Sequence, residues 1–186
     1  MALTFREDIH EYREDGVIVP SITQILECVG ITNPQFYTEG AAIRGTHVHT
    51  LTEYIDDGVC PAEVDPEYAP YIQAYRLFLH EADVQWRYIE HMVHNKIYGY
   101  AGRLDREGIL FGNAAIVELK SGGISDWAAL QTAAQAAFFK EPKKRYGLQL
   151  KTNGKYKLHE YTDRNDIKVF RSAAVVVNWK LKHGGM

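Results

Sequence analysis

The sequence feature that most constrains the fold is a short apolar run that ends in two charges. Residues 114–117 are Ala, Ala, Ile and Val, and they lead directly to Glu118, Leu119 and Lys120. Side chains alternate along a strand, so Glu118 and Lys120 share one face. A mostly apolar strand is typical of a sheet that is covered on both faces. Because unpaired buried charge is very unfavourable, this strand must pair its two charges or use them to bind a ligand.

Turn signals and hydrophobic periodicity divide the rest of the chain into helices and strands. Asp-Gly at 15–16 and Asn-Gly at 153–154 are hairpin turn dipeptides. Ser21 predicts the cap of a short helix that stops at Gly30. The remaining predictions are hairpins over 10–21 and 145–162, helices over about 36–57, 66–82, 125–139 and 165–182, and strands over 85–95, 98–108 and 114–122. This order predicts an α/β domain with a mixed central sheet flanked by helices.

Length and composition indicate one globular domain. The chain has 186 residues, of which 46% are hydrophobic and 24% are charged, close to ordinary globular proteins. It has no apolar stretch of about 18 residues, and the charged N-terminus MALTFREDIHEY does not resemble a signal peptide. We therefore expect a soluble intracellular protein with no membrane partner. Cys28 and Cys60 fit no zinc motif and are too few for an iron–sulfur cluster, so we expect reduced thiols.

The charges are distributed unevenly along the chain. The net charge is −3, but residues 1–67 contain three Lys/Arg against thirteen Asp/Glu, whereas residues 140–182 contain twelve Lys/Arg against four Asp/Glu. A polyanion such as DNA would be attracted to the second region. The alternative is a solvated lysine-rich surface. The candidate DNA-binding residues there are Lys143, Lys144, Arg145, Lys151, Lys155 and Lys157.

Another acidic residue precedes the apolar strand. Asp105 follows a glycine-containing segment at the predicted end of the previous strand, so two adjacent strands could bring Asp105, Glu118 and Lys120 to one point. Paired carboxylates favour a hard divalent cation, Mg²⁺ or Mn²⁺. Such a cation can polarise a phosphoryl group and help to deprotonate a water. The lysine can orient or deprotonate that water, or neutralise charge in the transition state. Taken singly, each of these residue types is also common on solvated strands and turns.

Four sequence segments resemble a known nuclease family. GRLD and IVELKSG resemble the core of the PD-(D/E)xK nuclease superfamily, although Leu104 stands where the motif's name places a proline. VPSITQIL and RGTHVHTLTE resemble its RecB-type branch, which includes many phage exonucleases. The resemblance implies a restriction-endonuclease-like core in a single nuclease domain over 1–186. Its parts would be an N-terminal hairpin and helices (1–84), a catalytic core (85–140), and a C-terminal hairpin and helix (141–186).

The same resemblance implies a metal site. Residues 45–49 match a G-x-x-x-H pattern whose histidine reaches the metal, which selects His49 over His47. Without the resemblance, a hydrogen-bonded surface or core histidine would be favoured. The implied metal-binding residues are His49, Asp105, Glu118 and the backbone carbonyl of Leu119. The implied catalytic residues are Asp105, Glu118, Lys120 and Gln131, with Lys120 positioning the attacking water.

Three further polar residues lie near this pattern. Glu90 matches a frequent glutamate on the strand before Asp105. Glu53 is one helical turn after His49, so it could contact that imidazole or a bound water. Gln131 could hold a phosphate oxygen or steady Lys120. Gln135 stands where relatives often have a tyrosine, and we predict it to be a polar residue on the helix surface.

These observations predict a metal-dependent deoxyribonuclease that hydrolyses phosphodiester bonds with metal-activated water. An exonuclease of recombination, repair or phage DNA processing is favoured, located in the cytoplasm of a bacterial cell or phage-infected host. The alternatives are an endonuclease or junction resolvase of the same fold, and a non-catalytic DNA-binding module. DNA is the expected partner, with a homo-oligomer or a recombination protein as further options. Trp127 or Tyr37 could stack on unpaired bases.

Overall fold

The computed structural model describes residues 3–6, 9–32, 38–59 and 63–184. Phe36, Tyr37 and Cys60 therefore lie outside the described residues. The helices are α1 (Ile22–Cys28), α2 (Glu39–Asp56), α3 (Ala69–Glu81), α4 (Ala128–Ala136) and α5 (Asp166–Lys182). The strands are β1 (Leu3–Arg6), β2 (Glu11–Glu14), β3 (Val17–Val19), β4 (Gln85–Asn95), β5 (Tyr100–Leu110), β6 (Asn113–Lys120), β7 (Lys144–Leu150) and β8 (Tyr156–Glu160).

A five-stranded mixed sheet organises the molecule, in the order β4-β5-β6-β7-β8. Strands β6 and β7 run parallel, and the other neighbouring strands are antiparallel. The parallel pair is connected through α4, since a parallel connection needs a crossover. The prediction of an α/β domain with a mixed central sheet flanked by helices is thus confirmed.

Helices cover both faces of this sheet. One core cluster packs α2 and α3, through residues such as Val48, Tyr75 and Phe78, against Val117 and Leu119 of β6. The opposite cluster packs α1, α4 and α5 together, and its buried members include Ile25, Ala134 and Phe170. Because β6 is covered on both faces, its mostly apolar composition follows from its position. Glu118 and Lys120, at the end of β6, are the charged exceptions to this apolar pattern.

Local signals in the sequence are largely borne out. Asp15 and Gly16 form the β2–β3 turn with positive φ, as this hairpin type requires. Ser21 and Gln24 form a capping box at the start of α1. Besides small shifts at the ends of other elements, the structure differs from the prediction in one strand and at the start of one helix. The strand β1 was not predicted, and it pairs with β2 in a separate small sheet.

The other difference is the start of α4. This helix begins at Ala128 rather than at Ser125 or Asp126, and no side chain caps it. The backbone carbonyls of Ser125 and Asp126 instead form a turn before the helix, accepting hydrogen bonds from the N–H groups of Ala128 and Ala129. Within the described residues, no helix is both long and apolar enough to cross a membrane.

Candidate metal centre

The candidate site lies where β5 and β6 separate. The ladder between these strands runs from Leu110 and Asn113 to Arg106 and Val117, and it ends there. Beyond that point, the N–H of Leu119 donates a hydrogen bond of 2.7 Å to Oδ2 of Asp105. The carboxylate of Asp105 thus accepts the hydrogen bond that a backbone carbonyl of β5 would accept if the ladder continued. The side chain of Asp105 is fixed in the fork between the strands, where it is 7% exposed.

Helix α2 brings His49 over this fork. The imidazole Nδ1 lies 3.2 Å from Oε1 of Glu90 and 3.8 Å from Oδ1 of Asp105. Its Nε2 lies 3.3 Å from the backbone oxygen of Leu119. The structure therefore brings His49, Asp105 and the Leu119 carbonyl together, as the sequence predicted. It also moves Glu90 from a supporting role into the centre of the group.

His49, Glu90 and Asp105 could hold a metal ion together. One ligand atom from each residue lies within 4.8 Å of the other two. Ligands on opposite sides of Mg²⁺ are separated by about 4.2 Å, since each bond is about 2.1 Å long. The group is therefore close to the required size. Two carboxylates and an imidazole are also suitable donors for Mg²⁺ or Mn²⁺.

The backbone of Glu90 is strained. Its φ is +46°, in the left-handed region that non-glycine residues rarely adopt, although it lies within strand β4. The pairs Ile89–Arg106 and His91–Leu104 flank it, so the strand continues normally on both sides. Such a conformation costs about 1–3 kcal/mol and persists only where the surroundings impose it. Here it accompanies a carboxylate that faces His49 from the edge strand.

A buried arginine supports this carboxylate. Arg106 is fully buried, and its Nη1 donates to Oε1 of Glu90 at 3.0 Å and to the backbone oxygen of Asp105 at 2.7 Å. Its Nε donates to Oδ2 of Asp56 at 2.5 Å, and its Nη2 donates to the hydroxyl of Thr52 at 3.1 Å. One guanidinium thus connects α2, β4 and β5 beneath the candidate metal ligands.

Asp56 completes this network. Besides Arg106, its carboxylate accepts hydrogen bonds from the hydroxyl of Tyr75 and the indole N–H of Trp86. Sequence analysis did not find Asp56 or Arg106, because neither lies in a recognisable motif. The one available signal was the charged pair of Arg106 and Glu107 inside a strand that is otherwise mostly buried.

Glu118 lies on the other side of the fork, beside α4. It is 3% exposed, and both of its carboxylate oxygens accept hydrogen bonds. Oε1 accepts from Nζ of Lys120 at 2.8 Å and from Nε2 of Gln131 at 2.7 Å, while Oε2 accepts from Nε2 of Gln135 at 2.8 Å. Glu118 therefore stands outside the group formed by His49, Glu90 and Asp105. Its role as a metal ligand stays a prediction.

The prediction for Gln135 was wrong. Its side chain is fully buried and faces Glu118, rather than lying on the surface of α4. Small residues explain this, because Ala128, Ala133 and Ala134 are all buried and allow the helix to approach closely. The two glutamines, one helical turn apart, then point at the same carboxylate.

The carboxylates and His49 perturb one another. Burial, together with the charge of Glu118, raises the pKa of Asp105 to about 7. Burial lowers the pKa of His49, but the charges of Asp105 and Glu90 outweigh it and raise that pKa to about 9. Burial acts to raise the pKa of Glu90, yet His49 and Arg106 hold it below its ordinary value. The positive charge of His49 thus compensates the neighbouring carboxylates, and a cation bound among them would compensate them in the same way.

A cleft of about 990 Å³ opens onto this group. His49, Glu90, the Leu119 backbone and Lys120 line it, together with Glu53. The β6–α4 loop, residues 121–127, forms one wall, and the first turns of α2 form the other. The ammonium of Lys120 lies 5.3 Å from the ring centroid of Trp127, whose indole also lines the cleft. A substrate could therefore reach the candidate ligands and Lys120 from one side.

The C-terminal basic residues are distributed over two environments. The side chain of Lys143 is fully buried and pairs with Glu107 at 2.5 Å and Glu141 at 2.8 Å. Lys144 pairs with Glu160, and Arg145 pairs with Asp166. The rest of the predicted set, Lys151, Lys155 and Lys157, lies on or beside the β7–β8 hairpin and is at least partly exposed. None of the six residues lines the 990 Å³ cleft.

Comparisons with known proteins find similarity in structure but not in sequence. No protein-family model matches the chain, and no curated protein matches its sequence. Among solved structures, the chain is similar to a protein from Eubacterium rectale that is described as a proposed exonuclease. The two share 13% sequence identity with a TM-score of 0.52, over 90% of this chain and 76% of the other. The protein therefore shares its mixed α/β fold with this neighbour.

Proposed function

We propose that the protein is a metal-dependent nuclease that hydrolyses phosphodiester bonds in DNA. The observation that carries the proposal is the convergence of His49, Glu90 and Asp105 at the β5–β6 fork. The group lies beside the carbonyl of Leu119, the residue before Lys120, and at the base of an open cleft. The motif resemblance and the fold of the Eubacterium rectale neighbour support the same assignment. Exonuclease action in recombination, repair or phage DNA processing is the favoured form.

The residues divide the chemistry between them. His49, Asp105 and the Leu119 carbonyl would hold Mg²⁺ or Mn²⁺, joined by Glu90 on one side or Glu118 on the other. When bound, the cation supplies Lewis acidity towards the phosphate and lowers the pKa of a coordinated water. Lys120 would orient the attacking water or stabilise negative charge on the phosphate. Glu118 would hold the Lys120 ammonium in place and Gln131 would fix that carboxylate, since Lys120 and Gln131 both donate hydrogen bonds to Oε1 of Glu118.

Cleavage assays on end-labelled linear DNA and closed circular DNA, with Mg²⁺, Mn²⁺ or excess EDTA, test this function. We expect metal-dependent degradation of the linear substrate that EDTA abolishes. Degradation of the circle would favour an endonuclease or resolvase of the same fold. Binding without cleavage of either substrate would favour a DNA-binding module. Undiminished cleavage in EDTA would contradict the proposal.

The two neighbouring histidines supply a matched control. His49→Ala should reduce cleavage far more than His47→Ala, because His49 faces the carboxylates whereas the ring of His47 stacks on Tyr68 at 5.0 Å. Excess Mn²⁺ should partly rescue His49→Ala by mass action on a weakened site. Equal effects of the two substitutions would contradict the assignment of His49.

A further inference from the structure

The cleft separates its charges by depth. The carboxylates of Glu90, Asp105 and Glu118 lie at or behind its base and are mostly buried. Three cations, Arg44, Arg103 and Lys120, line its walls, together with one further carboxylate, Glu53. A base that attracts a metal ion and walls that attract anions are complementary to a phosphodiester next to a bound cation.

Arg44 has one unsatisfied donor in its guanidinium group, the Nε–H. It lies on α2, five residues before His49, and its Nε is buried without a hydrogen-bond partner among the described residues. No ion pair joins it to a carboxylate within the part of the chain that the structure describes. Because Arg44 lines the cleft and makes no such ion pair, its guanidinium can donate charge-assisted hydrogen bonds to a phosphate oxygen.

Arg103 approaches the cleft from the sheet. It lies two residues before Asp105 on β5, so it shares a face with that carboxylate. The side chain is exposed, with its guanidinium carbon 5.3 Å from the ring centroid of Phe5. This contact leaves the donors of the guanidinium fork available to a ligand, because a ring face does not accept them as a carboxylate would.

The two walls of the cleft, α2 on one side and β6 with its following loop on the other, are close enough for one side chain to reach across. His49 of α2 reaches the carbonyl of Leu119, and a Cβ on Gly122 would lie 3.7 Å from Nη2 of Arg44. Helix α2 thus stays close to β6 and to the loop that follows it. The volume of about 990 Å³ is at the upper end of the range of about 300–1,000 Å³ for small-ligand pockets. A space of this size would admit one extended strand more readily than a duplex.

We propose that the cleft binds a single strand of DNA, with Arg44 and Arg103 contacting its backbone phosphates on either side of the metal-binding group. This rests on the proposed nuclease function, and it adds the form of the substrate and the residues that hold it. Trp127 supplies an aromatic wall on which a base can stack. The largely buried ion pairs of Lys143 and Arg145 hold these two side chains within the fold, whereas Lys144 forms an exposed pair with Glu160 and stays a candidate for DNA contact.

The test measures binding without catalysis. Fluorescence anisotropy with a labelled single-stranded oligonucleotide, in EDTA and over a series of salt concentrations, gives affinity and salt dependence. Arg44→Gln and Arg103→Gln should each weaken binding several-fold. Each should lower the slope of log affinity against log salt by about 0.7, the value for one phosphate contact on a single strand. Arg44→Lys, which keeps the charge, should retain most of that slope.

Arg76→Gln is the matched control, because Arg76 is exposed on α3 and does not line the cleft. It should bind like the unsubstituted protein. Equal affinity of Arg44→Gln, Arg103→Gln and Arg76→Gln would overturn the proposal. The proposal would also be overturned if the salt slope fell only when Lys151, Lys155 and Lys157 were neutralised together. A further contradicting result would be a blunt-ended duplex that binds as tightly as the single strand. Because the assay contains EDTA, it measures binding without a metal ion and without cleavage. Single-strand binding that depends on Arg44 would therefore support this proposal even if no nuclease activity were found.

Discussion

The two sides of the β5–β6 fork stabilise buried carboxylates in different ways. On the α2 side, Glu90 and Asp56 are held by the fully buried guanidinium of Arg106. On the α4 side, Glu118 is held by the neutral amides of Gln131 and Gln135, with Lys120 as its cation. One side uses an internal ion-pair network, and the other uses hydrogen bonds from a closely packed helix.

This difference indicates a division of work. Arg106 is enclosed by protein and cannot reach a substrate, so it serves the fold and the position of Glu90. Lys120 is one-quarter exposed and lines the cleft, so its ammonium can meet a substrate. Substitutions on the α2 side should therefore change metal affinity and stability, whereas substitutions on the α4 side should change the chemical step.

Asp105 lies between the two sides, and its substitution should have the largest effect on activity. Asp105→Asn should abolish detectable cleavage, because it removes a charged ligand, and calorimetry should show loss of Mn²⁺ binding. The fold should survive, since the amide oxygen can still accept the Leu119 N–H. Full activity in a folded Asp105→Asn variant would show that the metal is held elsewhere.

Lys120→Ala should separate chemistry from metal binding. Single-turnover cleavage should fall by about 10²–10⁴-fold, the contribution of a positioned acid–base group. Metal affinity should stay the same or rise, because a neighbouring positive charge is removed. A variant that cleaves at the original rate with metal bound would contradict this role. Unfolding of the variant would instead make Lys120 a structural partner of Glu118.

Arg106→Met should have the largest effect on stability. Removing one partner of a buried ion pair leaves Asp56 and Glu90 without their cation, at a cost of about 3–5 kcal/mol in the free energy of unfolding. Urea titration measures this cost, with Arg76→Met as the exposed control, expected to cost at most about 1 kcal/mol, the upper value for an exposed ion pair. A cost similar to that of the control would mean that the α2-side network is not a stabilising unit.

Gln135→Leu should have the smallest effect. It removes one neutral donor from Glu118, whose other oxygen keeps Lys120 and Gln131. A hydrogen bond to a charged group contributes about 1.5–3 kcal/mol, and leucine recovers part of this by apolar packing. Urea titration should therefore show a smaller loss than for Arg106→Met. If Gln135→Leu lost as much unfolding free energy as Arg106→Met, or more, the proposed difference between the α2 side and the α4 side would be wrong.

Much of the fold could be predicted from sequence, because its signals act over a few residues. The turns at Asp15-Gly16 and Asn153-Gly154, the cap at Ser21 and the period of α3 all depend on near neighbours. The start of α4 was missed because Ser125 and Asp126 match a capping pattern but form a separate turn. Gln135 was misplaced because helix propensity does not show which side of an alanine-rich helix meets a sheet.

The sequence by itself determined that a buried strand would carry Glu118 and Lys120, and it selected Asp105 and His49 by motif. Only the tertiary structure decided which carboxylate meets the imidazole. Glu90 is 41 residues from His49, and Asp56 is 50 residues from Arg106. Such pairings depend on the way α2 lies across the fork. The physical reason is that local propensity fixes backbone conformation, whereas the packing of distant elements fixes which buried charges can compensate one another.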